Sequence, residues 1–219
     1  MTSGTTGGEQ LSQTETLKIG NDSEPPQNPD HPRKLDAVTG GFLNKDFLTC
    51  GGFNSVEGTT DKCYMLGSEG PFATMMIKRA LAASIVLNDQ TMWILGGSSS
   101  SGISHISTEY MFRNGTNKEG PPMPLPLSHH TMAKINQTTS FLVGGWTGYV
   151  ISKKSWYYKG KWIEGPDLKI ARYGHSLGII RDSVTLLEYV VTAGGYAGSD
   201  TNDVEIMRVD ATSWETGKL

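Results

Sequence analysis

The stretch Met92-Trp93-Ile94-Leu95-Gly96-Gly97, a short apolar run closed by a double glycine, decides the fold because the same arrangement occurs four times. The other copies end in Gly51-Gly52, Gly144-Gly145 and Gly194-Gly195, so successive first glycines are 45, 48 and 50 residues apart. A nearly constant period of this length indicates an internal repeat in which each unit forms one supersecondary structure. Short apolar runs bounded by glycines are typical of buried β-strands.

Each repeat contains further strand-like runs. A second run begins about ten to twelve residues after each double glycine, at Lys62–Met65, Thr108–Met111, Ser155–Tyr158 and Val204–Met207. The first three repeats then end in a Gly-Pro pair, at Gly70-Pro71, Gly120-Pro121 and Gly165-Pro166. With 27 glycines and 10 prolines, the chain has the turn residues that many short strands need. We therefore predict an all-β fold of about four four-stranded antiparallel blades.

The repeats resemble those of the kelch family. The best match is Trp162-Ile163-Glu164-Gly165-Pro166-Asp167-Leu168-Lys169-Ile170-Ala171-Arg172-Tyr173-Gly174-His175, which carries the family's spaced Trp, Pro, Arg and His and is followed by Gly194-Gly195-Tyr196. The resemblance covers about residues 35–219. It implies a kelch-type β-propeller with one blade for each repeat of roughly 50 residues.

The family signature is incomplete in some repeats. Its arginine is Arg172 in the fourth unit, and Arg79 fills the position in the second unit after a two-residue shift. The third unit has Leu127 instead, and the first has Lys34. We therefore expect the family's contacts only where the motif is kept.

The resemblance also sets the expected domain boundaries. Residues 1–35 contain few large apolar side chains and are predicted to be a disordered polar tail, because such a segment cannot offset its ordering entropy by burial. Residues 36–219 are predicted to form the propeller, with blades at about 36–71, 72–121, 122–166 and 167–219. Four blades could close as a small ring. Proteins similar to this one usually close with six or seven, so these four are expected to be an incomplete part of a larger ring. Self-association is expected in that case, because an open ring exposes sheet edges.

Charge and hydrophobicity narrow the choice of partners. The chain has 19 Lys and Arg against 22 Asp and Glu, a formal net charge of -3, and this balance does not favour nucleic-acid binding. No run of 18 or more apolar residues exists, so the sequence predicts no membrane insertion. The expected partner is therefore a protein or a peptide.

The two cysteines, Cys50 and Cys63, lie at the ends of consecutive predicted strands. In an antiparallel pair these ends face each other, within reach of a disulfide. Two buried, reduced cysteines are the alternative. The arrangement Cys-Gly-Gly followed by Cys-Tyr also resembles kelch blades of secreted invertebrate proteins.

Two Asn-x-Thr sequons within the repeats, at Asn114 and Asn136, are candidate glycosylation sites. Together with the cysteines they favour an extracellular location over a cytoplasmic one. The first residues carry no basic start followed by an apolar stretch, and the location is otherwise unknown.

The sequence does not favour an enzyme. A galactose-oxidase-like protein would need a tyrosine cross-linked to cysteine and two histidine ligands, and a sialidase-like protein would need an arginine cluster and several Asp-box turns. His130 and His175 instead recur at one repeat position, which favours a structural role, and no metal-ligand motif is present. We expect no catalytic residue, no metal and no cofactor. A carbohydrate-directed propeller enzyme stays as the alternative, as does an adaptor that brings substrates to a ubiquitin ligase or binds actin.

The candidate binding residues follow the double glycines. They are Phe53, Ser98, Trp146 and Tyr196, to which the resemblance adds Arg172. In kelch domains that bind peptides, these loops and the arginine position form the binding face, which implies a non-catalytic binding module here. Aromatic residues and arginine carry much of the binding energy at protein interfaces. In the alternative, each ring only packs over its own loop.

Overall fold

The computed structural model describes residues 29–217, together with the backbone of the short strands Thr5–Thr6 and Glu9–Gln10. The described residues form strands and turns and no helix, which confirms the predicted all-β class. Most of the predicted disordered tail, residues 1–35, lies outside the described residues. Its last part is packed against the first sheet, where Leu35 is 2% exposed and His31 is 4% exposed.

Twenty strands are assigned in the described parts of the chain, and sixteen of them form four antiparallel sheets of four strands each. Sheet 1 contains β3 (Thr39–Leu43), β4 (Asp46–Cys50), β7 (Lys62–Met65) and β8 (Ala73–Thr74). Sheet 2 contains β9 (Ala83–Asn88), β10 (Thr91–Leu95), β11 (Thr108–Phe112) and β12 (Asn117–Glu119). Sheet 3 contains β13 (Thr131–Lys134), β14 (Ser140–Val143), β15 (Ser155–Tyr158) and β16 (Trp162–Glu164). Sheet 4 contains β17 (Ser176–Arg181), β18 (Glu188–Ala193), β19 (Val204–Arg208) and β20 (Glu215–Gly217). Two-stranded pairs are formed by β1 (Thr5–Thr6) with β2 (Glu9–Gln10) and by β5 (Phe53–Asn54) with β6 (Gly58–Thr59).

The double glycines end the second strand of each sheet, as the repeat predicts. In sheet 3, Gly144 and Gly145 both have positive φ, at 62° and 103°. A Cβ atom on Gly144 would lie 2.6 Å from the carbonyl oxygen of Arg172, and one on Gly145 would lie 2.9 Å from that of Ser128. Only glycine therefore lets the chain turn here and approach the segment that leads to the next sheet.

The core lies between the sheets. Alternate residues of a strand point to opposite faces, so each middle sheet buries one face against the sheet before it and the other against the sheet after it. In sheet 2, Met92 and Ile94 pack towards sheet 1, whereas Trp93 and Leu95 pack towards sheet 3. In sheet 3, Phe141 in turn packs towards sheet 4.

The first strands of successive sheets lie side by side, β3 against β9, β9 against β13 and β13 against β17. No comparable contact joins β17 to β3 among the described strands. The four sheets therefore form an open row in which only neighbours in sequence pack together.

A disulfide joins Cys50 to Cys63, with the Cα atoms 4.0 Å apart. The two residues are direct partners on β4 and β7, so the strand register brings the side chains together on one face of sheet 1. This confirms the predicted disulfide, and reduced cysteines are no longer an alternative for this structure.

Candidate binding rim

The four residues that follow the double glycines occupy equivalent places in the structure. Each is an antiparallel bridge partner of the segment that enters its sheet, in the pairs Asp36–Phe53, Ala80–Ser98, Ser128–Trp146 and Tyr173–Tyr196. We call the surface formed by these segments and the loops after the double glycines the rim.

The rim residues differ in exposure. Phe53 and Tyr196 are each 37% exposed, and Trp146 is partly buried. Ser98, whose side chain is small, is only 7% exposed. Three of the four predicted positions thus present aromatic surface.

Four rings form a connected cluster where sheets 3 and 4 meet at the rim. The ring of Tyr173 lies 5.2 Å from that of Tyr196, 6.0 Å from that of Trp146 and 5.0 Å from that of His129, measured between centroids. We call these four residues the aromatic cluster. The structure therefore links two predicted residues, Trp146 and Tyr196, through a third ring that the sequence reasoning missed.

Tyr173 and His129 could have been found from the repeat. Both belong to the segments that enter a sheet, and Tyr173 stands beside Arg172 in the best family match. His129 has positive φ, 53°, and Nδ1 lies 3.1 Å from the hydroxyl oxygen of Ser128. Burial lowers the pKa of His129 below its ordinary value, so the ring is neutral at neutral pH. The cluster is accordingly aromatic and uncharged.

The structure corrects the expectation that Arg172 presents its side chain on the rim. The residue is 0% exposed, and its guanidinium donates to the carbonyl oxygens of Gly194 and Asp203, each at 2.9 Å. It also forms a 3.0 Å ion pair with Glu205, whose carboxylate accepts the backbone N–H groups of Lys169 and Ile170. A buried cation needs such partners, and these fix the arginine beneath the rim.

The same buried pair occurs in sheet 2, where Arg79 meets Glu109 at 3.0 Å and donates to the carbonyl oxygen of Gly96. Sheet 3 has Leu127 and Trp156 at these two places, and both belong to the core between sheets 2 and 3. The sequence reasoning did not find the glutamates. The signal was the matching sequences Thr-Glu-Tyr-Met and Val-Glu-Ile-Met in the strands that contain Glu109 and Glu205.

His130 and His175 occupy equivalent buried positions, with the Cβ atom beside the second glycine of their own sheet and the ring beside the first glycine of the preceding sheet. The Nε2 atom of His175 lies 2.8 Å from the Thr131 hydroxyl, whereas neither ring nitrogen of His130 has a hydrogen-bond partner among the residues that the structure describes. Burial lowers the pKa of His130 to about 3 and that of His175 to about 4. These neutral rings are packing groups behind the rim.

The sequons lie at the opposite end of the sheets from the rim. Asn114 is in the turn between β11 and β12, and Asn136 is in the turn between β13 and β14. Both side chains are exposed, and each amide oxygen accepts the backbone N–H of the threonine two residues later.

Within residues 29–217, no group of three or more His, Cys, Asp or Glu side chains is placed to hold a metal ion. That part of the chain also contains no helix of the length and hydrophobicity needed to cross a membrane. In comparisons with known proteins, no family model matches the sequence, and no curated protein is significantly similar to it.

Proposed function

We propose that the protein is a kelch-type propeller segment that binds a peptide or a protein partner through its rim and performs no chemistry of its own. The periodic double glycines and the four-stranded sheets support the kelch assignment. The observation that carries the binding role is the aromatic cluster, in which exposed Tyr196 and partly exposed Trp146 are held together by Tyr173.

Such a cluster suits a binding surface because its rings are already in contact. Aromatic side chains bury a large area with few rotatable bonds, so little conformational freedom is lost when a partner binds. Tyr149 lies in the loop that follows Trp146 and is 88% exposed, which extends the available surface.

Arg172 has a different part in this proposal from the one that the resemblance implies. Its guanidinium holds the carbonyl oxygen of Gly194, the residue that begins the turn leading to Tyr196. We therefore assign Arg172 to positioning the rim rather than to contact with the partner.

A binding measurement tests the proposal. Peptides are selected on the full chain from a random dodecamer library, and the Kd of a selected synthetic peptide is measured by calorimetry. Trp146→Ala and Tyr196→Ala should each weaken binding by about 1–3 kcal/mol, as expected for central aromatic residues at an interface. The melting temperature of each variant should stay close to that of the unchanged protein, because neither ring belongs to the core between sheets.

Val184→Ala is the control, since Val184 is 87% exposed in the turn between β17 and β18, at the opposite end of the sheets from the rim. It should leave the Kd unchanged. Equal losses from Val184→Ala and Tyr196→Ala, or no loss from either rim variant, would show that binding does not use the aromatic cluster.

A further inference from the structure

The three junctions between successive sheets are built from the same four backbone hydrogen bonds. At the junction of sheets 2 and 3, the N–H groups of Met123 and Leu127 donate to the carbonyl oxygens of Ile106 and His105, and the N–H of Gly97 donates to the carbonyl oxygen of Leu127. The fourth bond runs from the N–H of His129 to the carbonyl oxygen of Leu81. In the equivalent pairs the first residue donates its N–H to the carbonyl oxygen of the second. Before sheet 2 they are Met75–Asp61, Arg79–Thr60, Gly52–Arg79 and Leu81–Ala37. Before sheet 4 they are Leu168–Lys153, Arg172–Ser152, Gly145–Arg172 and Gly174–His129.

In each junction the earlier sheet supplies one set of groups, which we call the trailing half, and the segment that enters the later sheet supplies the other set, the leading half. Sheet 4 presents the trailing half of a further junction. By equivalence with the three existing junctions, its groups are the N–H of Gly195 and the carbonyl oxygens of Thr201, Asn202 and Gly174. None of these four groups has a backbone partner within residues 29–217. At every other double glycine the second N–H is bonded to the segment that enters the next sheet.

Sheet 1 presents the leading half. The matching groups are the N–H groups of His31, Leu35 and Ala37 and the carbonyl oxygen of Leu35, and none of them has a backbone partner in the described part of the chain. The segment already has the conformation of the other connections, because Ala37 has φ 55° where Leu81 has 58°. His31 is fixed on the outer face of sheet 1 by a 2.8 Å contact between Nε2 and the Thr49 hydroxyl.

Apolar side chains accompany both halves. Val191 and Ala193 of sheet 4 are equivalent to Trp93 and Leu95 of sheet 2, which fill the core between sheets 2 and 3. Unlike those two residues, Val191 and Ala193 are partly exposed. On sheet 1, Phe42 is 54% exposed. Its equivalents by strand register, Val86 and Ile179, pack into the junctions before sheets 2 and 4.

We propose that the trailing half of one molecule binds the leading half of a second copy of the same chain, head to tail. The donors and acceptors match one for one. The carbonyl oxygens of Asn202, Thr201 and Gly174 accept the N–H groups of His31, Leu35 and Ala37, in that order. The N–H of Gly195 donates to the carbonyl oxygen of Leu35. The two halves of one molecule do not meet, because β17 and β3 are not packed together. The trailing half lies beside the aromatic cluster, because Gly174 follows Tyr173 and Gly195 precedes Tyr196. The proposal uses backbone groups rather than those rings, so it does not depend on the proposed binding function.

Two such junctions close a pair of molecules. Each copy supplies one leading and one trailing half, so a two-copy ring contains eight sheets and leaves no half unpaired. Propellers of about 4–8 blades are known to close, and a head-to-tail interface forms a ring when its rotations add to a full turn.

The test is the molar mass of the full chain in solution, measured by sedimentation equilibrium over a range of concentrations. We expect the mass of two copies for the unchanged protein. Val191→Glu on the trailing half and Phe42→Glu on the leading half should each weaken self-association at least tenfold, because each places a charge in an apolar contact. Val184→Glu is the control, since Val184 is 87% exposed in the turn between β17 and β18 and should have no effect.

Mixing the two interface variants gives a sharper result. A mixed pair contains one junction without either glutamate, so an equimolar mixture of Val191→Glu and Phe42→Glu should associate more tightly than either variant alone. A monomeric unchanged protein at about 100 µM, where a Kd of that order would already half-associate it, or equal effects of Val184→Glu and Val191→Glu, would overturn the proposal.

Amide hydrogen exchange of the unchanged protein supplies a measurement that needs no variant. The N–H groups of Ala37, Leu35 and Gly195 should become protected as the concentration rises. Exchange that is independent of concentration at these three amides would also overturn the proposal.

Discussion

At the scale of single residues, the repeats solve one packing problem in two ways. Where the segment that enters a sheet carries an arginine, a glutamate on the third strand neutralises its charge, as Glu205 does for Arg172. Where a leucine enters, an aromatic ring takes the place of the glutamate, as in Leu127 with Trp156. Either combination leaves no unpaired charge in the interior. An arginine with an aromatic ring, or a leucine with a glutamate, would leave one buried charge without a partner.

We expect Arg172→Leu to destabilise the protein by about 3–5 kcal/mol, because it leaves the carboxylate of Glu205 buried without its cation. Adding Glu205→Gln should recover part of this loss, since it removes the unpaired charge and its one amide oxygen can still accept the N–H of either Lys169 or Ile170. Urea unfolding of the single and double variants measures the difference. A double variant less stable than Arg172→Leu would show that the pair does not account for the cost.

The buried histidines predict a dependence of stability on pH. His130, with a pKa of about 3, and His175, with a pKa of about 4, stay neutral in the folded protein as the pH falls, whereas the unfolded chain takes up protons below about pH 6.5. The stability that each neutral histidine contributes is therefore fully present above pH 6.5. It is lost as the pH falls from 6.5 to about 4 for His175 and to about 3 for His130. At pH 5 we expect a loss of about 2 kcal/mol for each histidine.

Free energies of unfolding at pH 7 and pH 5 check this prediction. The double variant His130→Asn/His175→Asn should show a much smaller difference between the two values than the unchanged protein. The same fall in both proteins would assign the acid sensitivity to other groups.

At the scale of strands and turns, the sequence was most informative where glycine is required. The double glycines located the ends of β4, β10, β14 and β18 because all of them have positive φ and because, at every one except Gly194, a Cβ atom would lie within 3.0 Å of a backbone oxygen. The first connection was harder to align. The repeat pattern aligned Lys34 with Arg172, whereas the bridge between Asp36 and Phe53 shows that Leu35 is the equivalent residue. A connection without the arginine offers no side chain by which to fix the register.

The turns that contain Asn114 and Asn136 carry a prediction of their own. If the protein passes through a secretory pathway, both exposed amides should be glycosylated. Secretion from a eukaryotic host with an added leader, followed by mass spectrometry before and after enzymatic removal of N-glycans, should reveal two sites. Asn114→Gln and Asn136→Gln should each remove one glycan and leave peptide binding unchanged, because both turns lie away from the rim. An unmodified secreted protein would refute the assignment.

At the scale of the whole molecule, the period predicted four sheets but not the contacts between them. The aromatic cluster joins residues of two repeats, and Tyr173 meets Trp146 only because β13 and β17 pack side by side. A pattern within one repeat cannot specify contacts that arise when repeats are stacked.

The open row has a consequence for the order in which the molecule loses structure. In a molecule that is not paired with a second copy, sheets 2 and 3 are each supported on two sides, whereas sheets 1 and 4 each have a single neighbour. The stability of such a molecule should resemble that of a chain of coupled units that melts from its ends. The two ends are unequal, because the Cys50–Cys63 bond ties β4 to β7 and restricts the freedom gained when sheet 1 opens. Under mild denaturing conditions a protease should therefore first cut within sheet 4, while the three sheets before it remain intact.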